Sequence, residues 1–525
     1  MQFSLKRSAP DAADDQLVTH STPDPIPKAS GRQRLLAALF IIFCMLGAVL
    51  MSRFFLINNS LRLDEAQSLW QTSHTLPGTL KVVAEDVHVP LYHVILHFWQ
   101  IFVGPGAETA RALSLIFFLA TIPIVYLLAR RLLPVKWSLF VVGLFSFSPF
   151  MNWYANEVRM YTLLVLMATL SQYFFLKLIE SRGRSGWLGY ALTALVGVYS
   201  HYFFLFNLTS QGIYFLFTRR QFVSGTLKRF IALAALLAVW LAPWFYYFYS
   251  LGSGSNTSPN LARPSSVDLF NVFSQFSFGF QNNQVNTVLL SMWPIIVIVT
   301  LLSVKYGQRI STKMGYVIVA GILPIVLAFV LSYLVSPFFV GRYMAACVAP
   351  LAILLAWLIS NYRQGLYRAV SLGIVGLLIG VSAQQYSSGS TPVKEDYRLA
   401  ASVISDQAKA HDVVVLTAPF TVYPFNYYYD GTARVYTLPD WQREVPGPIP
   451  AFNPDTLPGQ VEALNKNHQY VYLLLSYDQG YEEEIYQHYQ QRFEKVDSRR
   501  LSPDLRLEVY RVGYNPLKAL SEVGQ

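Results

Sequence analysis

The chain alternates long apolar runs with short polar segments over most of its length. Runs of about 17–25 residues, long enough to cross a bilayer, recur between residues 35 and 386. They predict a polytopic α-helical membrane protein with about eleven transmembrane helices, the shorter runs being tolerated because helices and bilayers adapt to one another. The predicted spans are 35–57, 111–129, 137–150, 161–179, 187–201, 203–218, 230–249, 288–304, 315–335, 343–360 and 369–386.

Polar sequence flanks this apolar region on both sides. Residues 1–33 include SAPDAADDQ and TPDPIPK and cannot bury a core, so we expect a disordered cytoplasmic N-terminus. The first apolar run lacks a small-residue cleavage site after it and is expected to remain as an anchor. Residues 387–525 alternate helix and strand patterns and predict a small α/β domain. The domains are therefore 1–33, a membrane domain over 34–386, and 387–525.

The segment PLYHVILHFWQIFVG, residues 90–104, decides the topology. Its length suits a helix lying in the membrane interface as well as one that crosses. If it does not cross, five basic clusters all fall in the cytoplasm, as the positive-inside rule requires. The clusters are Arg130/Arg131/Lys136, Arg182/Arg184, Arg219/Arg220/Lys228/Arg229, Lys305/Arg309/Lys313 and Arg363/Arg368. This threading predicts an inner-membrane protein whose C-terminal domain lies outside, with outer loops at 58–110 and 251–287.

Composition agrees with this class. Of the 525 residues, 53% are hydrophobic and only 13% charged, against about 25% in ordinary soluble domains. The net charge of +10 resides largely in the short loops, so no nucleic-acid partner is expected. Cys44 and Cys347 both lie inside apolar runs and suggest no disulfide framework.

Most remaining ionisable residues near the spans fall on the outer face. Each alone has an ordinary explanation: Asp64 and Glu65 as solvated loop residues, or Arg342 as an anchor at a span end. Together they offer carboxylates that can accept a proton and cations that can bind an anion. That combination suits displacement of a phosphate leaving group by a hydroxyl.

The order of several motifs resembles the class C membrane glycosyltransferases. DEAQSLW, VHVPLYHVILHFW, ANEVRMY, YSHYFF and GRYMAACVAPLAILLAW occur in turn. The nearest group is family 39, with protein O-mannosyltransferases and the aminoarabinose transferases of lipid A, and the resemblance covers about residues 35–386. Val89 departs from it, since the family usually has a proline there. The resemblance implies a polyprenyl-phosphate sugar donor, a hydroxyl acceptor, an inverting displacement and a non-crossing helix at 90–104.

Carried over by position, the resemblance also implies roles for individual residues. Asp64 would be the base that deprotonates the acceptor, and Glu65 and Glu157 would be positioning acids. Arginine can clamp phosphate with two donors, so Arg342 is preferred as the donor-phosphate ligand. The other candidates for phosphate are Arg111, Arg159 and His201, and those for the acceptor side of the juxtamembrane segment are His88, Tyr92 and His93.

Two alternatives use lipid-linked sugars differently. A transporter or flippase of isoprenoid-linked saccharides would place ionisable residues or broken helices near the midplane, usually with internal repeats, and neither is evident. An O-antigen ligase or polymerase would have a large outer loop with its own His and Arg residues, whereas acids dominate the first outer loop here. We expect no required cofactor, although Asp64 and Glu65 could hold a divalent cation through oxygen ligands. The C-terminal domain has no phosphate loop or nucleophile elbow, so we expect it to cap the site or recognise the acceptor.

Overall fold

A computed structural model describes residues 29–86, 88–251, 262–280, 310–360, 395–445, 448–466 and 468–513, with a few positions between 369 and 380. The predicted span at 288–304, most of that at 369–386, and residues 1–28 of the predicted N-terminal segment lie outside the described residues. The count of eleven spans therefore remains a prediction.

The membrane domain is built from fourteen described helices. They are α1 (Gly31–Met51), α2 (Leu63–Thr72), α3 (Leu76–Glu85), α4 (Leu91–Val103), α5 (Ala107–Ala129), α6 (Val135–Ser146), α7 (Pro149–Ala155), α8 (Tyr161–Glu180), α9 (Trp187–Gly197), α10 (Phe204–Thr218), α11 (Thr226–Ser250), α12 (Ser266–Phe278), α13 (Thr312–Leu334) and α14 (Val348–Ser360). A π turn, Ser52–Leu56, extends α1, and a 3-10 turn, Gly341–Cys347, precedes α14.

Six described helices are long and apolar enough to cross a membrane. They are Gly31–Phe54, Ala107–Ala129, Tyr161–Glu180, Thr226–Ser250, Thr312–Leu334 and Gly341–Ser360. The runs predicted at 137–150, 187–201 and 203–218 are also helical, as α6, α9 and α10. These three have 12, 11 and 15 residues, fewer than the ~20 that a bilayer ordinarily needs.

Helix α4 occupies the segment that decided the topology. Its 13 residues extend about 20 Å, which is less than the ~30 Å thickness of a bilayer core. Tyr92, His93 and Leu96 are buried, while Ile101 and Phe102 are exposed. A short helix that buries only one face fits the prediction that residues 90–104 lie along the membrane rather than cross it.

Polar contacts join the spans at two levels. Inside the bundle, Gln172 donates to Asn207 at 3.1 Å and Gln211 donates to the Tyr316 hydroxyl at 3.1 Å, so polar contacts link neighbouring helices away from water. At one end of the bundle, Glu180 pairs with Arg131 and Lys313. Helix α5 runs about 34 Å from the region of Arg111 to this basic end.

The C-terminal segment forms a five-stranded sheet with helices. Its elements are α15 (Tyr397–Gln407), β1 (Val413–Leu416), α16 (Val422–Tyr428), β2 (Arg434–Thr437), α17 (Leu457–Asn465), β3 (Tyr470–Ser476), α18 (Glu482–Arg492), β4 (Glu494–Ser502) and β5 (Leu505–Arg511). The strand order is β2-β1-β3-β5-β4. Strand β1 is parallel to β2 and β3, whereas β5 is antiparallel to β3 and β4. The apolar β1 and β3 are buried because helices cover the sheet centre.

This α/β domain packs on the membrane domain at the end away from Glu180. The Leu61 amide donates to the Tyr428 hydroxyl at 3.0 Å, and the Arg398 amide donates to Ser60 Oγ at 3.3 Å. The Trp70 and Tyr423 rings lie 5.2 Å apart between α2 and α16. The domain therefore covers the loop that carries the Asp-Glu pair.

Candidate active site

Asp64 lies in the first turn of α2, where the helix dipole favours a negative charge. Its Oδ2 is 3.6 Å from Nη2 of Arg342, and its carbonyl oxygen accepts a hydrogen bond from Arg159 at 3.4 Å. The Asp64 side chain is 35% exposed, whereas Glu65 beside it is fully buried. Asp64 is thus the acid of the pair that a substrate can reach.

Positive charge controls the protonation of Asp64. Burial acts to raise the pKa of its carboxyl, but Arg159, Arg342 and Arg62 outweigh burial and lower the pKa to about 2. Asp64 is therefore ionised at neutral pH. An ionised carboxylate is the form that can accept a proton from a hydroxyl.

Glu65 points away from Asp64, into the protein. Both of its carboxylate oxygens accept from the Arg111 guanidinium, at 2.7 and 2.8 Å. Glu65 also accepts from the Arg62 amide at 3.0 Å, which caps α2, and from the Val158 amide at 3.3 Å. The remaining N–H groups of Arg111 donate to the carbonyl oxygens of Ile57, Asn59 and Ser60. The structure thus places Arg111 and Glu65 against each other, with no exposure to a bound substrate.

Glu157 and Arg62 form a second pair next to Asp64. Arg62 Nη1 lies 3.4 Å from Glu157 Oε1, and the Glu157 side chain is almost fully buried. The carboxylates of Glu157 and Glu395 act to raise the pKa of Arg62 against its burial. Tyr477 belongs to the α/β domain, where its hydroxyl donates to Glu395 at 3.2 Å. The α/β domain therefore contributes to the surroundings of Asp64.

Arg159 joins α2 to the segment before α4. Its Nη1 donates to Ser68 Oγ at 3.3 Å, and its Nη2 is 3.1 Å from His88 Nε2. Burial and the charge of Arg159 lower the pKa of His88 to about 3, so this ring is neutral. A neutral ring can accept the hydrogen bond from Arg159, which fixes its proton on Nδ1. His88 Nε2 also lies 3.5 Å from Asp86.

Arg342 and His201 share one aromatic cluster. The Arg342 guanidinium lies 6.0 Å from the Tyr161 ring centre and 5.5 Å from that of Tyr343. The His201 ring lies 6.0 and 5.3 Å from the same two rings, and its Nδ1 accepts from the Phe203 amide at 3.1 Å. The Arg342 side chain is 31% exposed, so it retains access to a ligand beside Asp64.

Tyr92 and His93 are buried behind Arg159 and His88. The Tyr92 hydroxyl is 2.9 Å from Ser114 Oγ, which donates to the Arg159 carbonyl at 3.3 Å. His93 is fully buried and stacks on His88 with ring centres 5.9 Å apart. Both predicted residues therefore contact the site through neighbours rather than lining it.

The site combines some of the predicted residues with three that the sequence did not single out. The structure brings together Asp64, Arg342, Arg159 and His88. Glu157 is farther from the accessible space and pairs with Arg62. The unpredicted residues are Arg62, Asp86 and Tyr477. Arg62 and Asp86 flank motifs that were recognised, and their ionisable side chains on the same loop were the available signal. Nothing in the local sequence around Tyr477 indicated its position.

The Asp-Glu pair does not form a cation site in this arrangement. Across the part of the chain that the structure describes, no group of three or more His, Cys, Asp or Glu side chains is placed to hold a metal. Glu65 has committed its oxygens to Arg111, and Asp64 faces arginines. The donor set therefore does not fit a divalent cation shared by these two acids.

The helical membrane domain with Asp64, the arginines around it and the adjoining α/β domain agree with the class C membrane glycosyltransferases that the sequence resembles. The comparisons agree with this class and confirm the resemblance seen in the sequence. Residues 87–247 match the family described as dolichyl-phosphate-mannose-protein mannosyltransferase. No curated protein matches the chain in sequence.

Among solved structures, ArnT from Cupriavidus metallidurans in the apo state is similar, with a TM-score of 0.57, 12% identity, and coverage of 91% of this chain and 98% of that one. The same protein bound to undecaprenyl phosphate gives a TM-score of 0.51, 12% identity, and coverage of 92% and 98%. The oligosaccharyltransferase AglB from Archaeoglobus fulgidus, in complex with an inhibitory peptide and a dolichol-phosphate, gives a TM-score of 0.45 and 11% identity. The match covers 85% of this chain and 70% of that one. The ArnT matches cover most of this chain and show a similar polytopic helical membrane fold.

Proposed function

We propose that this protein transfers a sugar from a polyprenyl-phosphate-linked donor to a hydroxyl acceptor by an inverting displacement. The observation that carries the proposal is the contact between Asp64 and Arg342, a partly exposed acid and a partly exposed guanidinium 3.6 Å apart. A base for the acceptor and a cation for the leaving phosphate act on opposite sides of one reacting carbon, so both must belong to the same site.

The reaction needs one bond made and one broken. The acceptor oxygen attacks the anomeric carbon and its proton passes to Asp64. The bond between that carbon and the phosphate oxygen breaks, leaving a polyprenyl phosphate with one more negative charge. Arg342, which already points to this space, stabilises that charge through two donors. A single attack from the face opposite the phosphate inverts the anomeric centre.

Donor binding changes the base. Arg342 and Arg159 hold the pKa of free Asp64 near 2, and a bound phosphate would neutralise part of their charge. The pKa of Asp64 then rises, and the carboxylate becomes a stronger base only once the donor is in place.

The neighbouring predicted residues take supporting roles. Glu65 and Arg111 hold the loop after α1 to the start of α2, and Glu157 orients Arg62 behind Asp64. His88 receives the Arg159 hydrogen bond and keeps that arginine directed at α2. We therefore assign phosphate binding to Arg342 with Arg159 and His201 beside it, and a structural role to Arg111.

The identity of the donor class is supported by the comparisons. The matched family is named for dolichyl-phosphate mannose, and the ArnT structure was obtained with undecaprenyl phosphate. A transporter is disfavoured because ionisable residues of the described spans, such as Arg111, Glu180 and Lys313, lie near helix ends rather than at the midplane. The basic end at Arg131 and Lys313 supports a cytoplasmic location for that end, with Asp64 and the α/β domain outside the inner membrane.

Lipid recovered from purified protein tests the proposal. We expect a polyprenyl-phosphate sugar to be identified by mass spectrometry with the wild type and with Asp64→Asn, since the base is not needed to bind donor. Arg342→Ala should recover much less. Arg263→Ala, which changes an exposed arginine, is the matched control. Equal recovery from Arg342→Ala and Arg263→Ala would contradict the assignment.

A further inference from the structure

A groove runs along α2 between the membrane domain and the α/β domain. It has a volume of about 240 Å³, below the ~300–1,000 Å³ of drug-sized ligand pockets. One wall is formed by α2 and α3, with Gln67, Trp70 and Gln71, and the other by the α/β domain, with Tyr423 and Trp441. Its size suits one monosaccharide unit with the rest of a chain extending into solvent.

The groove leads to the catalytic acid. Asp64, Gln67 and Gln71 are spaced at i, i+3 and i+7, which places them along one face of α2. The distance from Asp64 to Gln71 along the helix axis is about 10 Å at 1.5 Å per residue. Asp86 in the groove also lies near the site, with its Oδ2 3.5 Å from His88 Nε2. A ligand seated in the groove therefore points towards Asp64.

The walls offer rings and paired charges. Trp70 and Tyr423 pack together, Tyr423 and Trp441 are 6.2 Å apart, and the Arg443 guanidinium lies over Trp70 at 5.6 Å. The charged groups on the walls largely compensate one another: Lys81 lies 3.9 Å from Glu85, and Arg443 lies 2.6 Å from Glu444. Asp86 adds one further carboxylate, so a groove lined by rings and a small excess of negative charge disfavours an anionic ligand. It favours the C–H faces of an uncharged sugar.

Two polar atoms on the walls have no partner among the described residues. Gln71 is only 1% exposed, and its Nε2 donates to Asp86 at 2.8 Å while its Oε1 has no hydrogen bond. The indole N–H of Trp441, on the opposite wall, is also without an acceptor. Buried polar atoms of this kind are costly unless a ligand satisfies them. A sugar hydroxyl can donate to Gln71 and accept from Trp441 after small side-chain movements.

We propose that this groove is the acceptor subsite and that it binds a neutral saccharide unit next to the sugar that is extended. The identification of the bound saccharide as part of the acceptor rests on the proposed function. The groove and the class of its ligand rest on the walls themselves.

A binding experiment tests the groove without donor or turnover. The full chain in nanodiscs is applied to an array of neutral oligosaccharides ending in common hexoses and N-acetylhexosamines, together with Ser- and Thr-containing peptides. We expect binding to a subset of the glycans. Trp441→Phe, which keeps an aromatic ring but removes the N–H and part of the indole surface, should weaken it about 3–10-fold, and Trp441→Ala about 10-fold or more. Trp137→Phe, a matched change in α6, should bind like the wild type.

A second variant guards against misfolding. Val445 is 56% exposed at the groove edge, so Val445→Trp should fill the groove without disturbing a core, and we expect it to abolish glycan binding. Failure of all neutral glycans to bind, glycan binding unchanged in both Trp441→Ala and Val445→Trp, or binding of the peptides instead would overturn the proposal. Glycan binding that persists in Arg342→Ala would support the groove even if the donor assignment fails.

Discussion

The carboxylate of Glu65 and the guanidinium of Arg111 face each other through two hydrogen bonds of 2.7 and 2.8 Å, with both side chains fully buried. This geometry separates the two acids of the first outer loop. Glu65 is occupied by a scaffold pair, and Asp64 is left facing the arginines and the accessible space. The two neighbours diverge by about 100° on α2, as adjacent residues of a helix must.

Breaking this pair should destabilise the protein. Arg111→Ala leaves a buried carboxylate without its partner, which typically costs about 3–5 kcal/mol, and it also frees three loop carbonyls. We expect a clearly lowered apparent unfolding temperature in detergent, measured by thermal shift against Arg263→Ala. A variant as stable as this control would show that the pair is dispensable to the fold.

Turnover should distinguish the two acids. Asp64→Asn keeps the size of the side chain but removes the proton acceptor, so we expect a loss of about 10²–10⁴ in kcat with donor binding retained. Glu65→Gln should lower the yield of folded protein more than the turnover per folded molecule. The measurement is sugar transfer normalised to folded yield. Near wild-type turnover in Asp64→Asn would remove Asp64 from the mechanism.

The sequence predicted those parts of the molecule that depend on local pattern. Apolar runs identified the long helices, and the run at 90–104 forms a helix of 13 residues, whose placement along the membrane stays a prediction. Motif order identified the class and brought Asp64, Arg159 and Arg342 to one site.

Contacts between residues that are distant in the sequence could not be predicted from the local hydrophobic and polar pattern. Arg111 has the same chemistry as Arg342, and only the fold shows that one faces Glu65 while the other faces the accessible space. Tyr477 reaches the site because β3 ends above it, which no local spacing encodes. The groove between α2 and the α/β domain likewise requires both walls to be placed.

Binding of the donor phosphate should depend on the two parallel N–H donors of the Arg342 guanidinium. Arg342→Lys keeps the charge but loses the two parallel donors, so we expect weaker donor binding than in the wild type and stronger than in Arg342→Ala. Titration of a polyprenyl-phosphate sugar into the purified variants checks this order. Identical affinities in Arg342→Lys and Arg342→Ala would mean that charge alone contributes nothing there.

Topology follows from the two ends of the bundle. The network of Arg131, Glu180 and Lys313 should lie in the cytoplasm and the α/β domain outside. A reporter active only outside the cytoplasm, fused after residue 390, should therefore be active, and its cytoplasm-specific counterpart inactive. The reverse result would invert the orientation and place Asp64 inside.

The pH dependence of kcat/KM should report the arginines around Asp64. In the free protein the pKa of Asp64 is lowered from its ordinary value to about 2, so this carboxyl is ionised across the usual assay range. Its ionised form is lost only as the pH falls through that low pKa, and the acid limb of kcat/KM due to Asp64 should lie well below pH 4. Removing a nearby positive charge weakens the effect that opposes burial, so the pKa must rise. We therefore expect the acid limb to move to higher pH in Arg342→Gln. Arg263→Gln, far from the carboxylate in sequence and exposed, should leave it in place. An acid limb at the same pH in both variants would show that Arg342 does not control the charge of Asp64.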